Sequence, residues 1–311
     1  VIEQNFGGSA ALSVGVEEEV MILDAETLAL APKVELLISE SEKLDLPGRL
    51  KTELFASVVE LNTDICDSVA GAHEALRLLR REAARIAEHN GLRIAAAGSH
   101  PFSDPEQQEI AADPRYKEFV GFAGVSARRQ GVSGLHVHVG MPTADACYAT
   151  LEGILPWLPL VLALSANSPY LAGRATGLAS NRAEILAQLP RAGAPPAFGS
   201  YEAWEVFVER LIGLGLADDY TRFWWDVRPH PRFGTLEIRM PDQPTGLAVS
   251  AALSALLQAL CASVDVEEVR PAERGDYAQN RWAALRFGAG AELIHPNGER
   301  LVRVPELARE L

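Results

Sequence analysis

The sequence predicts an α+β protein organised around a largely antiparallel sheet. Three short segments carry that prediction: GVEEEV with Glu17 and Glu19, GLHVHVG with His136 and His138, and TLEIRM with Glu237 and Arg239. Each sets two ionisable side chains two residues apart, the spacing of one face of a β-strand. In the second and third segments the alternate residues (Leu135, Val137, Val139; Leu236, Ile238, Met240) are all apolar. One face of those strands therefore belongs in a core, and the other carries charge and imidazole. Repeated E-x-E, H-x-H and E-x-R faces point to one sheet lining a metal and phosphate site.

In chain order, strand-like runs fall at 13–23, 58–66, 92–97, 135–140 and 234–240. Helical periodicity is strongest over 72–89, where leucines, alanines and Ile86 form one stripe and arginines and glutamates the other. That helix stops at Asn90-Gly91, a C-terminal signal. Further helices are predicted at 144–154, 158–165, 201–214 with Ser200 as N-cap, 247–264 and 277–287. Strands and helices mix without the regular alternation of a doubly wound sheet, which favours α+β. No linker, composition shift or repeat divides the chain, so residues 1–311 are expected to form one catalytic domain. The helical pattern at 309–311 is unfinished, and the natural sequence is expected to continue beyond it.

A formal net charge of −14 and a pI near 5.0 argue against nucleic-acid or anionic-membrane partners, which call for a basic face. Cys66, Cys147 and Cys261 lie far apart with no C-x-x-C pair, which fits a reducing, cytoplasmic setting and no cysteine-rich zinc site. The most apolar stretch, 154–166, is short for a bilayer and contains Pro156 and Pro159. It reads as a buried helix pair.

Glu17 and Glu19 on one strand face repel unless a cation offsets them, and hard oxygen ligands suit Mg²⁺ or Mn²⁺. The same E-x-E also suits an acidic edge that deters sheet aggregation. Glu18, on the opposite and otherwise apolar face, is awkward under either reading. Glu60 shares a face with Asn62 and Asp64, while Val59, Leu61, Thr63 and Ile65 form the inner face. Glu53, seven residues before Glu60, has the opposite strand parity and joins it only through a bulge or turn; alone it reads as an exposed charge. A lone histidine between core residues is usually structural, but two on one face, flanked by Gly134 and Gly140, point to function. Arg239 either neutralises Glu237 or forks onto phosphate, and Arg228 and Arg182 lie in neighbouring motifs. The four lysines, Lys33, Lys43, Lys51 and Lys117, are all distant in sequence from these motifs, so an anion clamp is expected to be made of arginine. No G-x-x-x-x-G-K-[ST] loop, G-x-G-x-x-G turn or G-x-S-x-G elbow is present.

Together GVEEEV, VVELNTDIC, GSHPF, GLHVHVG, SANSPYLAGRATGLASNR, WWDVRPHPRFGTLEIRMPD and NRWAALRFG resemble, in order, the type 2 glutamate–cysteine ligases, or carboxylate–amine ligases. The resemblance runs from about Gly15 to the end of the chain. It implies the glutamine synthetase-like fold: a curved, largely antiparallel sheet, its site on the concave face and its helices packed on the outer face. It also implies two or three divalent ions. Carried over, Glu17 would share one ion with His136 and Glu237, and Glu19 another with Glu53 and Glu60. Activation by ATP would pass through an acyl phosphate, with Arg239 and Arg228 on the phosphoryl oxygens. Arg182 is the candidate for a substrate α-carboxylate. His100 and His138 are candidate substrate-side groups or bases, and Trp224 and Trp225 candidate walls. The implied cofactors are ATP and Mg²⁺ or Mn²⁺, and the implied substrates are amino acids, with glutamate and cysteine the default pair. Homo-oligomers are common in the superfamily. Two other readings of the same scaffold are a guanidino phosphotransferase, which stops after phosphoryl transfer, and a catalytically silent nucleotide or amino-acid sensor.

Overall fold

The structure is a computed structural model that describes residues 2–311. Its strands are β1 (Val14–Asp24), β2 (Gly48–Thr52), β3 (Val58–Thr63), β4 (Leu92–Ala95), β5 (Leu135–Gly140), β6 (Tyr170–Leu171), β7 (Arg174–Ala175), β8 (Val227–His230), β9 (Thr235–Ile238), β10 (Glu292–Ile294) and β11 (Leu301–Arg303). Seven of them form one antiparallel sheet in the order β2-β3-β1-β5-β9-β8, with β4 beside the C-terminal half of β1. β6–β7 and β10–β11 are separate small hairpins. The helices are α1 (Val34–Ser41), α2 (Val69–His89), α3 (Pro114–Ala123), α4 (Val125–Arg128), α5 (Ala144–Ile154), α6 (Leu158–Ser165), α7 (Asn181–Leu186), α8 (Tyr201–Gly213), α9 (Leu247–Ser263), α10 (Arg274–Phe287) and α11 (Val304–Glu310).

β1 organises the molecule because its two faces do different work. Val14, Val16, Val20 and Ile22 point into the apolar core, where they meet Val137, Val139 and Ile238 at one end and Val59, Leu61 and Leu79 at the other. α2 and α9 pack on each other and on this face. The other face carries Glu17 and Glu19, then Met21 and Leu23. Met21 and Leu23 pack with Phe119 of α3, Ala127 of α4 and, at the edge, Leu186 of α7. Helices therefore cover one end of the polar face as well as the outer face, which the sequence reading did not anticipate.

Glu18 ceases to be awkward once its partners are seen. It is fully buried, and Arg80 of α2 donates to it from Nε (2.5 Å) and Nη2 (2.7 Å). Ser250 of α9 and Gln243 add donors at 2.5 and 3.2 Å. A buried carboxylate is tolerated when paired and hydrogen-bonded, and here it ties two helices to the central strand.

The predicted strands and helices are present within a few residues. Ser200 Oγ accepts from the Ala203 N–H (3.1 Å) to start α8, and α2 stops at Asn90 and Gly91, with Gly91 at φ +68°. β2, β6, β7, β8, β10 and β11 were not predicted, nor were α1, α3, α4 and α7. In the main sheet, GRLKT of β2 is short and bounded by Pro47 and Glu53, and Pro229 argues against a strand at β8. β8 accommodates Pro229 because it is the edge strand of the sheet. Ile65, expected on the inner face, is 71% exposed because β3 ends at Thr63. α5 and α6, joined by a 3₁₀ turn at Leu155–Trp157, lie mostly inside the main core, as the helix-pair reading expected.

Arg80→Ala leaves Glu18 buried without its charge partner, and the expected cost is about 3 kcal/mol of unfolding free energy. Urea unfolding measures it. A loss below about 1 kcal/mol would mean that Ser250 and Gln243 suffice to hold Glu18.

Candidate active site

Three lateral rows build the polar face of the sheet. One row runs Arg49–Asn62–Glu17–His136 across β2, β3, β1 and β5. The next, on β2, β3 and β1, is Lys51–Glu60–Glu19. The third runs Gly15–His138–Glu237–Arg228 across β1, β5, β9 and β8. Glu19 and Glu60 are thus directly opposed like charges, an arrangement that is unfavourable by itself. Glu53 follows β2 in the connection to β3, and that turn overcomes its parity mismatch with Glu60.

All six predicted metal-ligand positions, Glu17, Glu19, Glu53, Glu60, His136 and Glu237, line one acidic cavity of about 200 Å³, together with Arg239. Two further cavities share its walls. An aromatic cavity of about 180 Å³ shares Glu19, Glu53, His136 and Arg239, and continues to Tyr116, Phe119, Leu189 and Trp224. A larger one, about 630 Å³, shares Glu17, His138 and Phe233, and brings in Arg49, Lys51 and Arg232.

Potential ligand atoms fall into three groups, each with all its atoms within 4.8 Å of one another: Glu19, Glu53 and Glu60; Glu17, His138 and Glu237; Glu17, Glu60 and His136. An octahedral ion with ligands at about 2.1 Å holds its donors about 3 to 4 Å apart, so small side-chain adjustments complete each set. The grouping differs from the expected partition, which put His136 with Glu17 and Glu237. His138 joins Glu17 and Glu237, because it pairs laterally with Glu237, whereas His136 stands opposite Glu17. His138 Nδ1 meets Thr235 Oγ1 at 2.9 Å, but its buried Nε2 has no hydrogen-bond partner among the described residues and lies 3.6 Å from Glu17 Oε1. An orphaned imidazole nitrogen among carboxylates, with hard oxygen donors around it, fits Mg²⁺ or Mn²⁺.

The electrostatics show the same demand for positive charge. Burial, then the charges of Glu17 and Glu53, push the Glu60 carboxyl well above its usual range. Burial and the Glu19 charge raise Glu53 to about 7. Burial would raise Glu237 too, but Arg228 and Arg239 outweigh it and hold that carboxyl well below the ordinary range. Burial and the neighbouring Arg239 lower His136 to about 4, so it is neutral and able to ligate.

The arginines divide differently from expectation. Arg239 donates from Nη1 to Glu237 Oε1 (2.5 Å) and lines both the acidic and the aromatic cavities. Arg228 is consumed: Nε and Nη2 fork onto Glu237 (2.6 and 3.1 Å), and Nη1 donates to the Thr221 and Phe223 carbonyls (2.7 and 2.9 Å). These bonds fix it on Glu237, and it lines the acidic cavity beside Arg239. Arg182 is buried and donates to the Met240 and Arg239 carbonyls (3.2 and 3.0 Å), bracing the chain that carries Arg239. A side chain at Gly134 would collide with its guanidinium. His100 is a loop strut, with Nε2 3.0 Å from the Leu28 carbonyl and Nδ1 accepting from the Ser103 N–H (2.9 Å). Trp224 walls the aromatic cavity, whereas Trp225 packs in a separate aromatic core with Trp204 and Phe223.

Two features of the site escaped the sequence reading: the approach of Lys51 and the bond Asn62 makes. Lys51 Nζ lies 3.9 Å from Glu60, so the anion-facing cations are not all arginine. Asn62 Nδ2 donates to Glu17 (2.8 Å). The alternation of Arg49, Leu50 and Lys51 was the available signal for the first.

The fold, a large antiparallel sheet with one acidic face, is shared with solved ligases, and the family match defines the class as an ATP-dependent carboxylate–amine ligase. The glutamate–cysteine ligase of Francisella tularensis, solved in complex with AMP, superposes with a TM-score of 0.66 over 97% of this chain and 77% of that one at 15% identity. A bifunctional glutathione synthetase from Pasteurella multocida gives 0.64 over 89% of this chain and 42% of that one, at 16% identity. The model for glutamate–cysteine ligase family 2 matches residues 13–311, and the chain belongs to that family of ATP-dependent ligases. A Rubrobacter xylanophilus protein provisionally named glutamate–cysteine ligase 2-3 is 43% identical over all of this chain and 85% of its own length. A Solibacter usitatus protein provisionally named glutamate–cysteine ligase 2 is 36% identical over 97% and 80% respectively. Of the three sequence readings, the ligase stands.

The raised carboxyls set a pH dependence for the metal-free protein. Glu53 binds its proton more tightly folded than unfolded, so stability falls as pH rises from about 4.5 to about 7. Added Mg²⁺ or Mn²⁺ is expected to remove that penalty. Thermal melts are expected to show a larger metal-induced rise in Tm at pH 8 than at pH 5. An equal rise at both pH values would dissociate metal binding from this carboxylate cluster.

Proposed function

We propose that the protein joins the side-chain carboxylate of glutamate to a small α-amino acid, cysteine by default, through an acyl phosphate. The observation that carries this reading is the meeting of three carboxylate-bearing donor groups with Arg239 on one sheet face, between two cavities of different character. The cavity of about 630 Å³, with Arg49, Lys51 and Arg232, has the volume and charge for a nucleotide. The aromatic cavity of about 180 Å³ suits amino-acid substrates.

In this scheme an oxygen of the substrate carboxylate attacks the γ-phosphorus of ATP, and the bond to ADP breaks. The amine nitrogen then attacks the acyl carbon, phosphate leaves, and an N–H proton is lost. Glu17, His138 and Glu237 would hold one divalent ion, and Glu19, Glu53 and Glu60 another. Such ions would neutralise phosphate charge when bound. Arg239 is the group assigned to the moving phosphoryl oxygens, with Arg228 fixing Glu237 and Arg182 fixing the Arg239 backbone. Trp224, Phe119 and Leu189 would keep water from the acyl phosphate. The three cysteines are free thiols, in keeping with the cytoplasmic location we propose.

Product mass spectrometry after incubation with ATP, Mg²⁺ and mixed amino acids tests the assignment. A γ-glutamyl amide is expected. A product lacking a glutamyl group rejects the donor, and a glutamyl product without cysteine replaces the acceptor while keeping the reaction. Arg239→Lys is expected to lower kcat roughly a hundredfold, about 3 kcal/mol, with nucleotide affinity retained, because a point charge does not reproduce a forked clamp. Near-normal turnover would reduce Arg239 to a counter-charge for Glu237.

A further inference from the structure

Arg222 ends the 3₁₀ turn Tyr220–Arg222 that precedes β8, and arginines pin the backbone there. The carbonyls of Thr221 and Phe223 accept from Arg228 Nη1 (2.7 and 2.9 Å). Between them, the carbonyl of Arg222 accepts from Arg191 Nε and Nη2 (3.2 and 3.1 Å). Arg228 is itself forked onto Glu237, so the turn is tied to the carboxylate cluster. The Arg222 side chain is far less constrained. Its guanidinium lies 5.7 Å from the centroid of the Phe119 ring. Among the described residues, the one carboxylate within 4 Å of it is that of Asp218, at 3.0 Å. The Arg222 side chain is 20% exposed and that of Asp218 74%, and a pair so open to water is weak and readily exchanged.

Arg222 and Phe119 line two cavities at once: the aromatic cavity, and an outer one of about 200 Å³ bordered by Glu118, Phe122, Arg191 and Leu216. Three arginines line the aromatic cavity. Arg182 is bonded to two backbone carbonyls, and Arg239 also lines the acidic cavity as the group assigned to phosphoryl oxygens. Arg222 does not line the acidic cavity. The donor carboxylate has to reach the ions and Arg239, which sets the donor against that wall. An amino acid arriving afterwards meets Arg222, where the aromatic and outer cavities join. A guanidinium whose only carboxylate partner is screened by water suits a second, planar carboxylate. It grips that group through parallel N–H bonds, and more strongly inside a cavity than it holds Asp218 at the surface.

We propose that Arg222 is a specificity residue that takes the α-carboxylate of the acceptor amino acid, giving up Asp218 for it. The inference rests on the reading that the aromatic cavity takes the amino-acid substrates, and it adds which end of the acceptor is read. The enzyme then requires a free carboxylate beside the amine, and simple amines are poor acceptors. Arg222 lines neither the acidic cavity nor the cavity of nucleotide size, so its loss should spare ATP and glutamate.

The test pairs L-cysteine with cysteamine, which keeps the thiol and the amine but lacks the carboxylate, in the presence of ATP, Mg²⁺ and L-glutamate. L-Alanine and ethylamine replace them if cysteine is not used. The unsubstituted protein is expected to prefer cysteine by about thirtyfold or more in kcat/KM. Arg222→Met is expected to cut kcat/KM for cysteine about tenfold or more while leaving cysteamine within about threefold. KM for ATP and glutamate should stay within about twofold in that variant. Asp218→Asn, which removes the competing carboxylate, is expected to lower KM for cysteine about twofold without changing that for cysteamine. Equal losses for cysteine and cysteamine in Arg222→Met overturn the proposal, since they mark a purely structural arginine. So does unchanged use of cysteine, an unsubstituted protein indifferent to the carboxylate, or a rise in glutamate KM in its place, which moves Arg222 to the donor. If Arg222→Met does not fold, Asp218→Asn decides, and an unchanged or raised cysteine KM there overturns the proposal. Absence of any amide from the unsubstituted protein instead overturns the functional reading, and the inference with it.

Discussion

Like charge crowded on one sheet face is the constraint on which the rest of the structure depends. Glu19 and Glu60 oppose each other directly across β1 and β3, with Glu17 two residues away and Glu53 reaching in from the adjoining turn. Water would screen such a set at the surface, but here the carboxylates lie at the floor of a cavity and are largely desolvated. The protein supplies only partial compensation. Arg228 and Arg239 neutralise Glu237, and Lys51 stands at 3.9 Å from Glu60. The deficit is local, and a divalent cation is the charge that would offset it under the proposed function.

Holding that deficit in place requires a stiff frame. The opposite face of the same strands is apolar and buried under α2 and α9, so a register slip would invert core and site together. The run Glu17-Glu18-Glu19 shows the device at its most compressed. Alternate side chains enter opposite worlds: two form the site, while the third is neutralised by Arg80 and locks the helices to the strand.

The arginines show how little residue type says about role. Arg228, Arg182 and Arg239 lie in neighbouring motifs, yet their free donors differ. Arg228 spends its donors on Glu237 and two carbonyls, and Arg182 is bonded to two backbone carbonyls. Arg239 keeps donors available at the junction of two cavities. What distinguishes them is which partners folding has already provided.

The sequence by itself determined the fold class, five of the seven strands of the main sheet and the acidic site face. Strand parity is a local property, and two-residue spacing within β1, β5 and β9 is enough to put Glu17, Glu19, His136, His138 and Glu237 on one side. The ordered motifs determined the family. Only the tertiary structure decided the lateral partners. Whether Glu237 neighbours His136 or His138 depends on the register of β5 against β9, and the burial of Glu53 depends on a turn that parity counting does not see. It also decided that Pro229 sits in an edge strand, that His100 serves a loop, and that Lys51 and Arg222 border the site. Those outcomes turn on contacts between residues far apart in the chain, where packing and hydrogen-bond satisfaction prevail over local pattern.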